Sequence, residues 1–436
     1  MVHSSYDGVT TRFLRKDEHL VTSSENTMPL VIEANQRKDI KFLQEFLKAN
    51  SESLMIDVAK YGALLFRGFD IKSDKDFENT ILSINGLHGI SDSFLAEHGR
   101  ERVDGLKYVL HTNTIYKTGG TLYLGGFHTE NYYNPDVPEF ISFCCLKPSD
   151  LGGETGLVNF EKVYEQLNDE LKERLEKGPC FVDKWLVNEV AKRYKIDTKK
   201  VEEICRQFDL PIVGEGEDKL ILMYKPTVFL NPITKMKSLQ LNCFSLPTLD
   251  DVLRQLFTKD YQGKTWFWNR FFWKLPHSIF KAVENLAIFF ISLFHSPKEV
   301  LDITQANWKT ARAFKKINID SKKLSSLFTK NDIDQLASLM RQFYVSTIWT
   351  KGDILLVDNR KVAHTGMPGA GPRTIRALIA NPVKMKYSLN QSGVLNCEER
   401  KTESIGYYMV RGDANIKTRS DLKVEMKDSE KTMASK

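Results

Sequence analysis

The stretch GGFHTENYY, residues 125–133, sets a histidine and a glutamate one residue apart, beside paired glycines and aromatics. On an extended segment the side chains at i and i+2 share a face, so His128 and Glu130 can reach one ion together. Two imidazoles and one carboxylate on a single face form the donor set of non-haem Fe(II) sites, with positions left open for co-substrate and O2. An HxE pair by itself is most often ordinary surface chemistry. The third ligand has to come from a distant strand.

Nine histidines are available. His364 follows the apolar run Ile354 to Val357 and precedes the Gly/Pro loop GMPGAGP, which places it on a strand-to-loop edge. The loop leads directly to Arg373 and Arg376 on another apolar strand. A guanidinium grips a carboxylate through two parallel hydrogen bonds, so an arginine here suits a dicarboxylate co-substrate. The sequence HTN at 111–113 imitates the first motif. Asparagine is a weak, neutral iron ligand, and His111 is assigned to structure or to the rim of a substrate pocket. Gly152-Gly153 lacks the GK[ST] that would follow in a phosphate loop and reads as a tight turn.

Composition bounds the alternatives. The chain has 436 residues, 42% hydrophobic and 27% charged, enough apolar matter for one large domain or two ordinary ones. Its net charge of +6 comes from positives interspersed among 56 acids, without the basic block that a nucleic-acid interface would show. No nucleic-acid partner is expected. The six cysteines form no CxxC pair, which points to reduced, buried thiols in a cytoplasmic setting. Adjacent Cys144 and Cys145 should face opposite sides of a strand. The start, MVHSSYDGVTTRF, has no apolar core of a secretory signal.

Residues 1–35 read as a polar lead-in. Apolar spacing predicts helices over 38–47, 74–87 and 161–175, and strands over Ala63–Phe66 and Phe140–Leu146. Between 176 and 345 charged helical segments surround the aromatic stretch TWFWNRFFWKLPHSIFKAVENLAIFFISLFH, read as a large, mainly helical insertion. Two readings stay open for its 265–295 portion: a buried helical layer, or a surface for peripheral membrane contact or partner docking, because tryptophans flanked by basic residues suit an interface. Its longest apolar run is far below the roughly 20 residues of a membrane span. Residues 396–436 are lysine-rich and polar, and read as a flexible tail.

Four segments in order carry a family resemblance: YGALLFRGF (61–69), FHTE (127–130), CLKPSDLGGET (145–155) and DNRKVAHTGMPGAGPRTIR (358–376). Through them the chain resembles the taurine dioxygenase (TauD/TfdA) and clavaminate synthase-like branch of Fe(II)- and 2-oxoglutarate-dependent oxygenases. The resemblance implies a mainly β fold with α: a double-stranded β-helix, or jelly roll, with flanking helices, spanning 36–395. It also implies His128, Glu130 and His364 as iron ligands, with Fe(II), 2-oxoglutarate and O2 as cofactor and co-substrates and with succinate and CO2 as co-products. Thr155 matches the threonine that hydrogen-bonds 2-oxoglutarate. Arg373 matches the arginine that pairs with it, with Arg376 as the second choice. Retention of Glu130 disfavours halogenation, because halogenating relatives carry a small residue there. Hydroxylation of a small-molecule C–H bond is the default. Desaturation or oxidative cyclisation in natural-product biosynthesis would use the same residues. The substrate is expected to be a small molecule, with a carboxylate-bearing or amino-acid-derived compound allowed by the basic charge and a spare Arg376. Readings from other classes are a zinc hydrolase on the same three ligands, and a non-catalytic scaffold whose working surface is the aromatic insertion.

Overall fold

The computed structural model of the protein describes residues 4–21, 27–95, 101–112, 126–276 and 297–425, with a few positions between 278 and 290. The fold is mixed α/β with several sheets. The largest has seven strands in the order Val9–Arg12, Leu30–Ala34, Ala63–Arg67, Ile354–Asp358, Pro138–Lys147, Thr374–Pro382 and Leu110–His111. Neighbours run antiparallel except Leu30–Ala34, which lies parallel to Ala63–Arg67.

Both faces of this sheet are covered, which is why its central strands are continuous apolar runs. Leu64, Phe66, Cys144 and Leu356 face an outer layer of three helices, Ile40–Ala49, Ser51–Tyr61 and Asp74–Ile81. Ala63, Leu65, Cys145 and Leu355 face inward. The two adjacent cysteines therefore do point to opposite sides, and all six are free and buried. The inner face packs against a three-stranded sheet in which Thr155–Asn159 lies between Tyr344–Thr347 and Val362–Gly366. Leu157, Val345 and Val362 of the small sheet share one core with Leu65, Ile141 and Phe143 of the large one. Gly62 ends the second helix in the left-handed region, at φ 82°, and a Cβ there would lie 2.7 Å from Val362. The YG of YGALLF is thus a close approach between the helix end and the strand that carries His364.

Three expectations change. The lead-in is not a separate segment: Val9–Arg12 and Leu30–Ala34 form the edge of the large sheet, and Glu18 pairs with Arg67 at 2.7 Å. The helix over 161–175 is two helices, Phe160–Glu165 and Asp169–Glu176, the second starting where the Asn168 side chain accepts from Leu171 N. The tail docks in its first part: Ile405, Tyr408 and Met409 of the helix Ile405–Arg411 are buried against Val201, Ile204 and Phe208. Residues 426–436 lie outside the described residues.

The 176–345 segment carries most of its regular structure in helices, including Pro247–Phe257, Pro297–Lys316 and Lys330–Gln342. It also holds a three-stranded sheet of Cys180–Leu186, Leu220–Lys225 and Ile212–Val213. Of its aromatic stretch, Trp266, Trp273 and Phe280 join the core whereas Phe267, Trp268 and Phe271 are exposed. Among the described residues no helix is long and apolar enough to cross a membrane.

Candidate metal centre

His364 sits on Val362–Gly366, the strand that pairs with Thr155–Asn159, opposite Leu157. On its free side the strand meets Phe127-His128 as an isolated antiparallel bridge. His128 N donates to His364 O at 3.2 Å, and His364 N donates to His128 O at 3.0 Å. Directly opposed residues of an antiparallel pair place their side chains on one face, and the two imidazole centroids are 4.6 Å apart. Two histidines remote in sequence thus become neighbours through one pair of backbone hydrogen bonds.

Glu130 follows as the chain turns away at Asn131, which adopts φ 59°. Its Oε2 lies 3.3 Å from His364 Nε2 and 3.7 Å from His128 Nε2. One ligating atom from each of the three residues falls within 4.8 Å of the others. Bonds of about 2.1 Å at right angles would set adjacent ligand atoms about 3 Å apart, so the three groups would hold a single octahedral cation once they draw in around it. Gly126 O, 2.9 Å from His128 Nδ1, orients that ring with Nε2 toward the carboxylate, an arrangement typical of a metal-binding imidazole. His364 and Glu130 are buried, whereas His128 keeps 24% of its side chain exposed.

Two buried polar residues hold the Glu130 turn. Asn359 Oδ1 accepts from Glu130 N at 2.5 Å, and its Nδ2 donates to Pro138 O at 2.9 Å. Asn359 thus ties the segment before His364 to the segment that carries Glu130, and Asp358 accepts two hydrogen bonds from Arg360 at 2.9 and 3.0 Å. Lys225 Nζ donates to the carbonyls of Asn131, Tyr132 and Asn134 at 2.6–2.8 Å. Burial pushes the Lys225 ammonium well below the usual lysine range. Nothing local in the sequence marks Lys225 for this task. Tyr132 is a core residue, and Tyr133 contacts Ser245 Oγ at 2.7 Å.

Thr155 is buried one strand from His364, paired with Gly366 on one side and Thr347 on the other. Arg373 reaches back over this edge. Its Nη1 donates to Gly153 O at 2.7 Å, and a Cβ added to Gly366 would meet only Arg373 Nη2, at 3.8 Å. Glycine thus keeps open space beneath the guanidinium. Among the described residues Arg373 forms no ion pair, and burial holds its pKa below the ordinary arginine value. Arg376 projects elsewhere and binds Asp74 at 2.5 Å. It is not spare, which removes the ground it offered for a carboxylate-bearing substrate. His111 pairs with Arg376 across the large sheet, away from the triad strands, and Asn113 lies outside the described residues. Glu154, unnoticed in the sequence, is fully buried beside Thr155, and burial raises its carboxyl to about 7.

Comparison with known proteins follows the same lines. The sequence model of the taurine catabolism dioxygenase TauD, TfdA family matches residues 24–250. The dapdiamide synthesis protein DdaC of Enterobacter agglomerans is 22% identical over 335 residues, covering 75% of this chain and 84% of its own. Among solved structures, the PvcB protein from Pseudomonas aeruginosa aligns with a TM-score of 0.43 at 12% identity, over 87% of this chain and 94% of its own. AAD-2 in complex with Mn(II) and N-oxalylglycine aligns at 0.39 and 14% identity, over 85% and 97%. By the family match, which covers more than half its length, the chain belongs to the TauD/TfdA dioxygenase family.

Proposed function

We propose that this dioxygenase is an Fe(II)- and 2-oxoglutarate-dependent oxygenase whose iron is held by His128, Glu130 and His364. One observation carries the reading. His128, Glu130 and His364 each bring a ligand-type atom within 4.8 Å of the others, and a partly buried arginine that forms no ion pair among the described residues lies over the strand edge of Thr155 and Gly366. An uncompensated cation in such a place is costly, and a dicarboxylate that reaches from the metal to Arg373 removes the cost.

Bound Fe(II) with 2-oxoglutarate supplies O2 activation coupled to decarboxylation of the keto acid to succinate and CO2. The chain's own part is positional. Arg373 and Thr155 grip the far carboxylate, Gly366 leaves room for it, and the paired backbones of His128 and His364 fix the imidazoles. Glu130 would take the coordination position that a halogenase leaves for chloride, so hydroxylation of a small-molecule C–H bond is the assigned outcome. The two packed sheets are read as the halves of a double-stranded β-helix with the metal at one mouth, and 176–345 as its insertion. The likeness to a dapdiamide synthesis protein supports a biosynthetic small molecule as substrate. A zinc hydrolase on the same ligands would leave Arg373 and Thr155 without a task.

The test is succinate formation from 2-oxoglutarate with Fe(II) and O2, together with Fe(II) binding measured without oxygen. His128→Ala and His364→Ala should each lower metal affinity by about 100-fold or more and abolish succinate formation. Variants that keep both activities would defeat the assignment.

A further inference from the structure

We infer that the aromatic face presented between residues 264 and 290 docks the protein on an anionic lipid surface. The segment is two-sided. Its inner side is built into the body: Trp273 and Phe280 are buried, Arg254 Nη1 donates to Trp273 O at 3.0 Å, and the Arg254 guanidinium stacks over the Phe280 ring at 4.1 Å. Tyr261 meets Trp266 and Trp273 edge-on, with centroids 4.9 and 5.1 Å away. The outer side is therefore held outward by a finished inner contact.

That outer side carries Phe267, Trp268, Phe271, Ile279, Val283 and Leu286, with Trp268 61% and Leu286 57% exposed. Soluble proteins seldom display so many large apolar side chains at helical spacing without a partner. Charge selects the occupant. From Lys264 to Phe290 the chain has four basic residues, Lys264, Arg270, Lys274 and Lys281, against one acidic residue, Glu284. Lys264 and Lys274 are exposed. A second copy would bring the same positive charge against this face, whereas a bilayer bearing phosphatidylserine or phosphatidylglycerol brings the opposite charge together with an apolar layer. Tryptophan and phenylalanine flanked by lysine form the side-chain set of helices that lie in the headgroup region without crossing it. Trp266 also lies against Gly152, where an added Cβ would approach its ring to 2.8 Å. The docking element thus abuts the turn leading to Thr155.

Co-sedimentation of the full chain with lipid vesicles tests this. Binding is expected to vesicles of phosphatidylcholine with about a third phosphatidylserine, far above that to phosphatidylcholine alone, and falling with salt. K264E/K274E should weaken it roughly tenfold or more. W268S/F271S should do likewise without shifting the thermal unfolding midpoint, because both side chains already face solvent. Absence of binding to either vesicle, or binding indifferent to both double variants, overturns the proposal. So does a concentration-dependent dimer in sedimentation equilibrium that W268S/F271S abolishes, since the face would then join two copies.

Discussion

Two turns flank the triad, one carrying a buried arginine and the other a half-buried one, yet only one of them is finished. In the Asp358-Asn359-Arg360 turn the guanidinium is saturated. Asp358 takes two of its hydrogen bonds, Glu139 lies 3.3 Å from Nη1, and the Phe140 ring lies 4.9 Å from Cζ. The carboxylates hold the Arg360 guanidinium above the ordinary arginine range despite its burial. Across the site Arg373 has one backbone carbonyl and, among the described residues, no ion pair; Glu154 acts on it only weakly, and burial moves its pKa the other way. A cation whose charge is balanced in the free protein belongs to the fold. A cation left without an ion pair beside an open glycine edge is one that a bound anion would balance.

Substitution by methionine separates the two. Arg360→Met should cost about 3–5 kcal/mol in urea unfolding, because it leaves Asp358 and Glu139 buried without their cation. Arg373→Met should leave stability within about 1 kcal/mol of the parent, or raise it, while increasing the KM for 2-oxoglutarate about tenfold or more. Arg376→Met serves as the control: its pair with Asp74 is partly exposed, worth about 0–1 kcal/mol, and the KM should barely move. A large stability loss in Arg373→Met with unchanged KM would erase the contrast between the turns.

The finished turn reaches into the metal centre through Asn359, which gives a smaller effect. Asn359→Ala leaves Glu130 N and Pro138 O without their side-chain partner, a loss of about 1–3 kcal/mol. Part of that loss should appear as weaker Fe(II) binding, since the turn it steadies carries Glu130. Metal affinity equal to the parent's, in a variant that is measurably less stable, would restrict Asn359 to the fold.

The legible part of this molecule is what local pattern records. HTE reads as a pair because i and i+2 share a face, and Ala63–Phe66 and Ile354–Val357 read as strands because both of their faces are covered. Val9–Arg12 was lost in the polar opening, because a short edge strand with one covered face has little apolar content to show. The tail was misread for a related reason: Ile405, Tyr408 and Met409 have helical spacing, but lysine-rich surroundings dominate the composition. Lys225 was out of reach altogether. Its role exists only because a remote loop turns three carbonyls toward one point, and backbone direction leaves no mark on residue identity. The choice between Arg373 and Arg376 was open for the same reason, and Asp74, which occupies Arg376, belongs to a helix from another part of the chain.

Glu154 offers the finest probe of the unfinished turn. It is fully buried, and Ser346 Oγ approaches its Oε1 only at 3.4 Å, so burial keeps its proton on up to about pH 7, against 4.5 for an ordinary glutamate. Between those values the folded protein holds a proton that the unfolded chain has released, and stability must fall as pH rises through that window. The stabilisation is fully present below 4.5 and lost above about 7. Glu154→Gln keeps the shape of the neutral acid and removes the titration. The variant should therefore lose this slope and gain about 3 kcal/mol over the parent on the alkaline side, read as the difference in urea midpoint across the window. Arg373 lies close enough to favour the charged carboxylate, so Arg373→Met should push the upper edge of the window higher. If the edge stays where it is in that variant, Glu154 and Arg373 do not share an environment, and the placement of Arg373 over the Thr155 edge, on which the 2-oxoglutarate assignment rests, fails.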